Sequence, residues 1–265
     1  RASYGALGNN GTTDDSFRRN ADINNYEYLA LYNPTNYVLN NQLYVGFAQT
    51  VLSNPFLTWE NTYILNAGLD FDLFNYKLGG SIDVFNKVTD NILINLPAPL
   101  VVGNATIPRT NAAKVRNNGV ELNLTYRDKI GDNFKFNIGG NFTFIDNKVV
   151  KFKGNDKSIS GSNLLQEGYA INTQYILLTD RILQTDADMQ LVQQMIDNAP
   201  IDPNTNQKVN PFASYGTPKK GDLLYKDTNG DGVINDNDRV PVGHGTAPRM
   251  TYGFNMGFDY KGFDF

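Results

Sequence analysis

Apolar and polar side chains alternate strictly over long stretches of the chain, and a two-residue period is the mark of a β-strand with two unlike faces. From Tyr63 to Leu73 one face carries Tyr63, Leu65, Ala67, Leu69, Phe71 and Leu73. The other carries Ile64, Asn66, Gly68, Asp70 and Asp72. A second run sets Tyr76, Leu78, Gly80, Ile82 and Val84 against Lys77, Gly79, Ser81 and Asp83. A third sets Val120, Leu122, Leu124 and Tyr126 against Glu121, Asn123, Thr125 and Arg127. The fourth is the most aromatic, with Phe134, Phe136, Ile138, Gly140, Phe142 and Phe144 opposed to Lys135, Asn137, Gly139, Asn141 and Thr143. The fifth places Tyr252, Phe254, Met256, Phe258 and Tyr260 opposite Thr251, Gly253, Asn255, Gly257 and Asp259.

These runs are roughly 10 to 12 residues long. Globular strands are most often about 5 to 6 residues, whereas a tilted strand needs roughly 9 to 11 to cross a bilayer. Aromatics bracket three of the apolar faces (Tyr63 and Phe71, Phe134 and Phe144, Tyr252 and Tyr260), as interfacial girdles do. The pattern predicts an all-β chain, part of a large antiparallel transmembrane barrel whose Phe and Leu faces meet lipid, with Phe136 at mid-membrane. The polar faces (Asn66, Asp70, Lys77, Asp83, Glu121, Asn123, Arg127, Asn137, Asn141) would line the lumen. A large soluble β-sandwich with solvated outer faces satisfies the same alternation.

Connections are unequal. Short links at Phe74-Asn75, Asp128 to Asn133 and Lys261-Gly262 alternate with long polar segments at 88–117 and 147–248. A barrel has short periplasmic turns and long extracellular loops, so 147–248 is expected to be an extracellular loop region. Within it, Met189, Val192, Met195 and Ile196 recur at helical spacing, which predicts one short helix over Ala187 to Asn198 capped by Thr185 or Asp186.

Composition narrows the chemistry. The 265 residues are 40% hydrophobic and 12% aromatic, with no apolar run near the 18 residues or so of a spanning helix. Net charge is −4 and no Lys/Arg stripe occurs, which argues against nucleic acid. There is no cysteine and one histidine, His244, beside two glycines. Thiolate and multi-histidine metal sites are thereby excluded, and no pair of carboxylates stands out by spacing as an acid and base. The chain is not expected to be an enzyme. Both ends read as cut from something longer. Trp59, ahead of the first clear run, is expected to anchor the entry to that strand.

One local pattern carries metal chemistry. Asp227 to Asp238 matches the twelve-residue calcium loop at positions 1 (Asp227), 3 (Asn229), 5 (Asp231), 7 (Val233, through its carbonyl), 9 (Asn235) and 12 (Asp238). Gly232 occupies the sharp-turn position. Alternate side chains of a tight loop can converge on a hard cation that wants six to eight oxygens. The flanks, with Pro218 and Gly221 before and Pro241 and Gly243 after, are not helices. The loop would therefore staple a surface segment structurally if it holds calcium; a self-capped turn that binds nothing explains the same residues.

Five further elements occur in order: Asn54-Pro55-x-Leu57-Thr58-Trp59-Glu60, Val115-Arg116-Asn117-Asn118-Gly119-Val120-Glu121, Glu167-Gly168-Tyr169-Ala170-Ile171-Asn172, Gly221-Asp222-Leu223-x-Tyr225-Lys226-Asp227 with its glycine-rich continuation, and Thr251-Tyr252-Gly253 followed by Tyr260-Lys261-Gly262-Phe263-Asp264. Together they resemble the SusC/RagA family of TonB-linked outer-membrane transporters of Bacteroidota. Ala170 and Arg181 depart from the Pro and Gly usual in that family. The resemblance implies a barrel of about 22 strands in the complete protein, of which residues 1–265 are a part that lacks the plug and final strands. It also implies location in the cell outer membrane, a SusD-like surface lipoprotein as partner, energy from TonB through an N-terminal region outside this chain, and a glycan or peptide as cargo. A passive porin-like barrel and a soluble, calcium-stapled β-sandwich adhesin or carbohydrate-binding module are the competing functions. Glycoside hydrolysis is more distant, for want of a carboxylate pair.

Overall fold

The computed structural model describes residues 1–9, 28–94, 100–103, 105–153 and 157–265. Its strands are β1 (Ala2–Asn9), β2 (Leu31–Leu39), β3 (Gln42–Val51), β4 (Glu60–Leu73), β5 (Leu78–Ile94), β6 (Thr110–Ile130), β7 (Phe134–Phe152), β8 (Lys157–Ser160), β9 (Asn163–Gln166), β10 (Thr173–Ile176), β11 (Thr179–Ile182), β12 (Leu223–Tyr225), β13 (Val240–Val242), β14 (Met250–Tyr260) and β15 (Phe263–Asp264). One helix, α1 (Asp186–Asp197), lies between β11 and β12. The chain forms two units: Arg1–Lys157 with Gln166–Ala170 and Ala247–Phe265, and Ser158–Leu165 with Ile171–Thr246.

The first unit is an antiparallel sheet of seven strands in the order β1-β4-β5-β6-β7-β14-β15. Neighbours pair in near-continuous register, for example Leu69↔Ile82, Ile82↔Leu122, Leu122↔Phe142 and Phe142↔Tyr252. Directly opposed residues point to one side of a sheet, so these five apolar side chains form a single row on one face. The next row towards the turns is Phe71, Gly80, Leu124, Gly140 and Phe254, large alternating with small. A Cβ on Gly80 would lie 2.7 Å from the Phe71 ring and 2.8 Å from Leu124, so the space is already filled and only glycine fits. The opposite face carries Asp70, Ser81, Asn123 and Asn141 in one row and Asp83, Glu121 and Thr143 in another.

The turn ends are tight. Lys261 (φ 49°) and Gly262 (φ 86°) make the two-residue β14–β15 link, while Phe74, Asn75 and Tyr76 all take positive φ between β4 and β5. Aromatics gather at this end, with Phe134 and Phe258 rings 5.9 Å apart, Phe134 and Phe136 6.1 Å, and Tyr126 and Phe136 6.0 Å. Phe136 therefore sits near the turns, opposite Asp128. This corrects the mid-membrane placement expected from the alternation, which gives a face but no depth.

The strands are longer than the alternation indicated: 17 residues in β5, 21 in β6 and 19 in β7. Half of the segment 88–117 is therefore strand, at its two ends, and 147–152 completes β7. Beyond Val84, Val120 and Phe144 the polarity of the two faces exchanges, which ends the clean pattern without ending the strand. On the formerly apolar side come Asn86, Asn118 and Asp146, then Arg116 and Lys148. On the other come Phe85, Ile145, Val115 and fully buried Val149. The apolar band runs from Phe134 to Phe144 on β7, roughly 33 Å along the strand and about 25 Å in height at the usual tilt, the dimension of a lipid-facing belt.

Strands β1 to β3 were not anticipated. β1 pairs directly with β4, Ala2↔Ala67 through Asn9↔Glu60, so β2 and β3 form a separate hairpin inside the connection. Asn40 and Asn41, at φ 49° and 60°, close it with the primed geometry that suits strand twist.

The second unit gives structure to most of the expected loop region 147–248. It contains a four-stranded sheet ordered β13-β10-β9-β8, the β11–β12 pair and α1. Leu183, Val192, Phe212, Leu224 and Ile234 form its core, with Met189, Met195 and Ile196 of α1 packed against them. The helix begins one residue earlier than expected and its N-cap is Thr185.

Depth along the band is testable. Leu122→Arg, in the middle row, is expected to cost roughly 2–4 kcal/mol, and Ile130→Arg, at the turn end, about 0–1 kcal/mol. Urea unfolding of the full-length protein folded into phospholipid vesicles measures both; equal costs would contradict the assigned depths.

Candidate functional site

The register of the sheet places the residues of the inner wall. Asp70, Asp83, Glu121, Asn123, Asn141, Asn137 and Arg127 share one face of the sheet, as expected. Asn66, opposite Phe85, continues it upward. Lys77 leaves the wall: its Nζ lies 2.8 Å from the Asp128 carboxylate at the turn end. The Arg1 guanidinium bridges Asp70 at 3.1 Å and Asp83 at 2.5 Å. Short polar side chains and glycines (Gly79, Gly139, Gly253, Gly257) keep the rest of the surface low.

Above the wall, three sequence elements that are far apart in the chain meet at the loop ends of the strands. Asn54 donates from Nδ2 to the Arg109 carbonyl at 2.8 Å. The Asn111 amide accepts from Thr58 N at 2.9 Å and donates to the Thr58 and Asn91 carbonyls at 2.7 Å each. Glu60, 2% exposed, accepts the Leu93 backbone N–H at 2.9 Å. Asn54 to Glu60 is thus stitched onto the ends of β5 and β6, and Trp59 stands at the entry to β4 with its ring against Gly8. A third element, Glu167 to Ala170, runs along β7: Val149 N donates to the Tyr169 carbonyl at 2.8 Å and Gly168 N to the Val149 carbonyl at 2.9 Å. Glu167 also accepts from Phe152 N at 2.6 Å.

The stretch Val115 to Glu121 lies between them on β6. Its two asparagines face opposite ways and each pairs across the sheet, Asn118 with Asn86 at 2.5 Å and Asn117 with Asn147 at 2.7 Å. Gly119 is required by space. A Cβ there would collide with the Phe85 ring and sit 2.8 Å from the Phe144 carbonyl. The motif residues were identifiable from the sequence, but their common location at this rim was not.

The glycine-rich loop is in the second unit. Asp227 accepts Gly230 N at 2.6 Å and Gly232 N at 2.8 Å, and Asn229 accepts Asp231 N at 2.8 Å. Asp231 accepts Val233 N at 2.8 Å, and Asn235 accepts Asn237 N at 2.7 Å. Asp238 is fully buried and closes the loop, taking Thr228 N at 2.8 Å and Asn235 N at 2.9 Å. Asn235 Nδ2 lies 3.5 Å from the Val233 carbonyl. The donor chemistry of carboxylates, amide oxygens and a carbonyl suits a hard cation, and in this structure the loop's own backbone amides bind those side-chain oxygens. The loop as it stands is held by its own amides.

Ile234 of that loop also lines a cavity of about 480 Å³ with Phe212, Tyr215, Thr217, Asp222 and Tyr225. The Tyr215 hydroxyl donates to Asp236, which raises the phenol above its ordinary pKa. At the start of α1, Asp188 accepts backbone N–H bonds from Thr185 and Gln184, and these hold its pKa down to about 2. His244 is exposed and touches none of these groups.

A family model described as TonB dependent receptor-like, beta-barrel, matches residues 1–200. TonB-dependent receptor P39 of Formosa agariphila is 31% identical over 280 residues, covering 100% of this chain and 25% of that protein. TonB-dependent receptor SusC of Bacteroides thetaiotaomicron is 25% identical over 287 residues, again covering 100% of this chain and 24% of the relative. Among solved structures, the RagAB peptide transporter superposes with a TM-score of 0.61 at 20% identity, and the RagAB peptide importer in its open-open state with 0.63 at 22%. Each match covers 98% of this chain and 25% or 24% of the solved chain. The chain thus spans about a quarter of the length of the proteins it matches.

The Phe85–Gly119 contact sets a test of the rim. Gly119→Ala is expected to destabilise the full-length protein by about 1–3 kcal/mol through overpacking. Combining it with Phe85→Leu should recover part of that loss in a double-mutant cycle of unfolding free energies; strict additivity would mean that the ring is not the obstacle.

Proposed function

The chain belongs to the TonB-dependent receptor-like β-barrel family, and we propose that it forms part of the wall and the folded extracellular connections of an outer-membrane importer of oligomeric nutrients. The cargo is a glycan or a peptide, the energy reaches the barrel through TonB, and a SusD-like surface lipoprotein is the partner. Support comes chiefly from one observation: the same strands present a continuous apolar belt on one face and an amide- and carboxylate-rich wall on the other. Such a wall binds a hydrated oligomer weakly and at many points, which lets cargo move along it.

The chain's part in transport is positional. The ladder fixes where Asp83, Glu121, Asn123 and Asn141 stand, and the rim contacts of Asn54, Glu60, Asn111 and Glu167 fix where the connections leave the wall. No bond of the cargo is broken by this mechanism; what changes is its location. The test is uptake by cells of a fluorescent neutral oligosaccharide pool and a fluorescent peptide pool, in wild type, receptor-deleted and TonB-deleted strains. Loss of uptake of one pool in both deletions is expected. Uptake that needs the receptor but survives loss of TonB would replace the importer with a passive porin.

Calcium in the 227–238 loop is part of the same proposal. The oxygens of Asp227, Asn229, Asp231 and Asn235 that accept loop amides each retain a lone pair, and a bound cation would tie together a loop that supplies Ile234 to the core. Calcium against EDTA, read by hydrogen exchange of the full-length protein, should slow exchange across 227–238. Identical exchange in both would leave the loop self-capped and remove calcium from the account.

A further inference from the structure

We propose that the outward surface formed by Arg116, Lys148, Lys114 and Lys151 binds the phosphate groups of a lipid in the outer leaflet. The inference rests on the membrane-barrel reading above and on the polarity exchange in β5, β6 and β7.

Register places the residues. Arg116 pairs with Val88 on one side and Lys148 on the other, and Val88 pairs with Tyr63. No irregularity separates these pairs from Val84, Val120 and Phe144, so all four side chains lie on the lipid-facing side of the sheet. One step further, Lys114 pairs with Lys151, the register shift beside Val115 bringing both to that same side. Two cationic pairs are therefore stacked directly across β6 and β7. Like charges directly opposite each other in a sheet are unfavourable, and here the arrangement occurs twice in succession.

Acidic side chains on this face do not neutralise it. Asp90 lies 2.7 Å from Lys114, and Asp146 lies 2.9 Å from Arg249, whose guanidinium also covers the Phe144 ring at 4.8 Å. Among the described residues Lys151 makes no ion pair. Arg116 and Lys148 have no acidic partner among the described residues. The surface thus has an excess of positive charge that an external anion can satisfy.

Height selects the anion. Arg116 and Lys148 are four residues beyond Val120 and Phe144, the last apolar row, which is roughly 13 Å along the strand and about 10 Å in height at the usual tilt. A headgroup region extends about 5–7 Å on each side of the hydrocarbon core. Long cationic side chains at that height can lean back towards the apolar belt and reach headgroup phosphates. Tyr63 in the same row is the amphipathic aromatic expected at a membrane interface. The patch lies on the side of the long connections, which for an outer-membrane barrel is the outer leaflet. Arg and Lys both bind phosphate, Arg through two parallel N–H donors.

The test uses the full-length receptor in nanodiscs made with lipid A, with the same lipid A stripped of phosphate, or with the stripped lipid plus millimolar inorganic phosphate. Native mass spectrometry reads retained lipid, and thermal unfolding reads the midpoint. Wild type is expected to retain phosphorylated lipid A on the order of tenfold over the stripped form, with a higher midpoint. Arg116→Gln with Lys148→Gln should abolish that preference, while unchanged heat-modifiable migration on gels shows that the barrel still folds. Equal retention of both lipids by wild type, or an undiminished preference in the double variant, would overturn the proposal. So would a midpoint rise with inorganic phosphate equal to that with lipid A, since the site would then serve a free anion. A protein that enters no nanodisc of any composition would instead refute the barrel reading itself.

Discussion

Inside a bilayer a strand has no water to satisfy its backbone, so each N–H and C=O must be met by a neighbouring strand. The long register from Leu73↔Leu78 through Ile130↔Phe134 to Tyr260↔Phe134 meets that requirement for the interior strands of the sheet. It also decides everything lateral. Once one residue of β6 is placed, the parity of the ladder assigns the side chains of five neighbouring strands to lipid or to the inner wall as far as the register shifts beside Thr89 and Val115. A slip of one residue would turn Asp83, Glu121 and Asn141 to hydrocarbon, which gives this register a strong energetic preference over its neighbours. Among the described residues the outer strands β1 and β15 each pair on one edge, in keeping with a sheet that is one arc of a barrel.

The same ladder continues past the belt, and the environments change places there. Asn86, Asn118 and Asp146 mark the height at which hydrocarbon gives way to headgroups on the outer side. Inside, Val115 and Val149 are buried and Val149 hydrogen-bonds along Gly168 and Tyr169, with Phe85 and Ile145 half-buried on the same side. Side chains follow their surroundings, and the backbone does not respond. This explains why residues 54–60, 115–121 and 166–170 carry so much specific hydrogen bonding: the rim is where strands without lipid support must be held by amide and carboxylate contacts. Buried Glu60 and half-buried Asn111 satisfy backbone groups that would otherwise be left open at the strand ends.

The second unit folds by different rules. Its strands are only three or four residues long, and its regularity comes from side chains that cap backbone groups: Thr185 and Asp188 at α1, and the Asx series from Asp227 to Asp238. A short core of Leu183, Val192, Phe212, Leu224 and Ile234 then ties the helix to the glycine-rich loop. Asp238 serves both, since its buried carboxylate closes the loop and caps the short helical turn at 236–238. Loops of this kind can present a defined surface to a ligand or partner without a large hydrophobic interior.

The sequence by itself determined the all-β character, the five principal strands, which of their faces is apolar, the cap at Thr185 and the twelve-residue loop, because each of these depends on residues close together in the chain. Period-two alternation and Asx spacing are local codes. Tertiary structure decided the rest. The register puts Phe136 near the turns, whereas alternation does not report depth and is consistent with Phe136 at mid-membrane. It cannot follow a strand through a change of solvent, so the upper halves of β5, β6 and β7 read as loop, and Arg116 and Lys148 were hidden in it. The β2–β3 hairpin lacks alternation, with β2 exposed along its whole length, and the pairing of β1 with β4 makes it an excursion. Asn54, Gly119 and Glu167 were visible as motif residues, but that they meet at one rim depends on contacts between positions far apart in sequence, which no local pattern encodes.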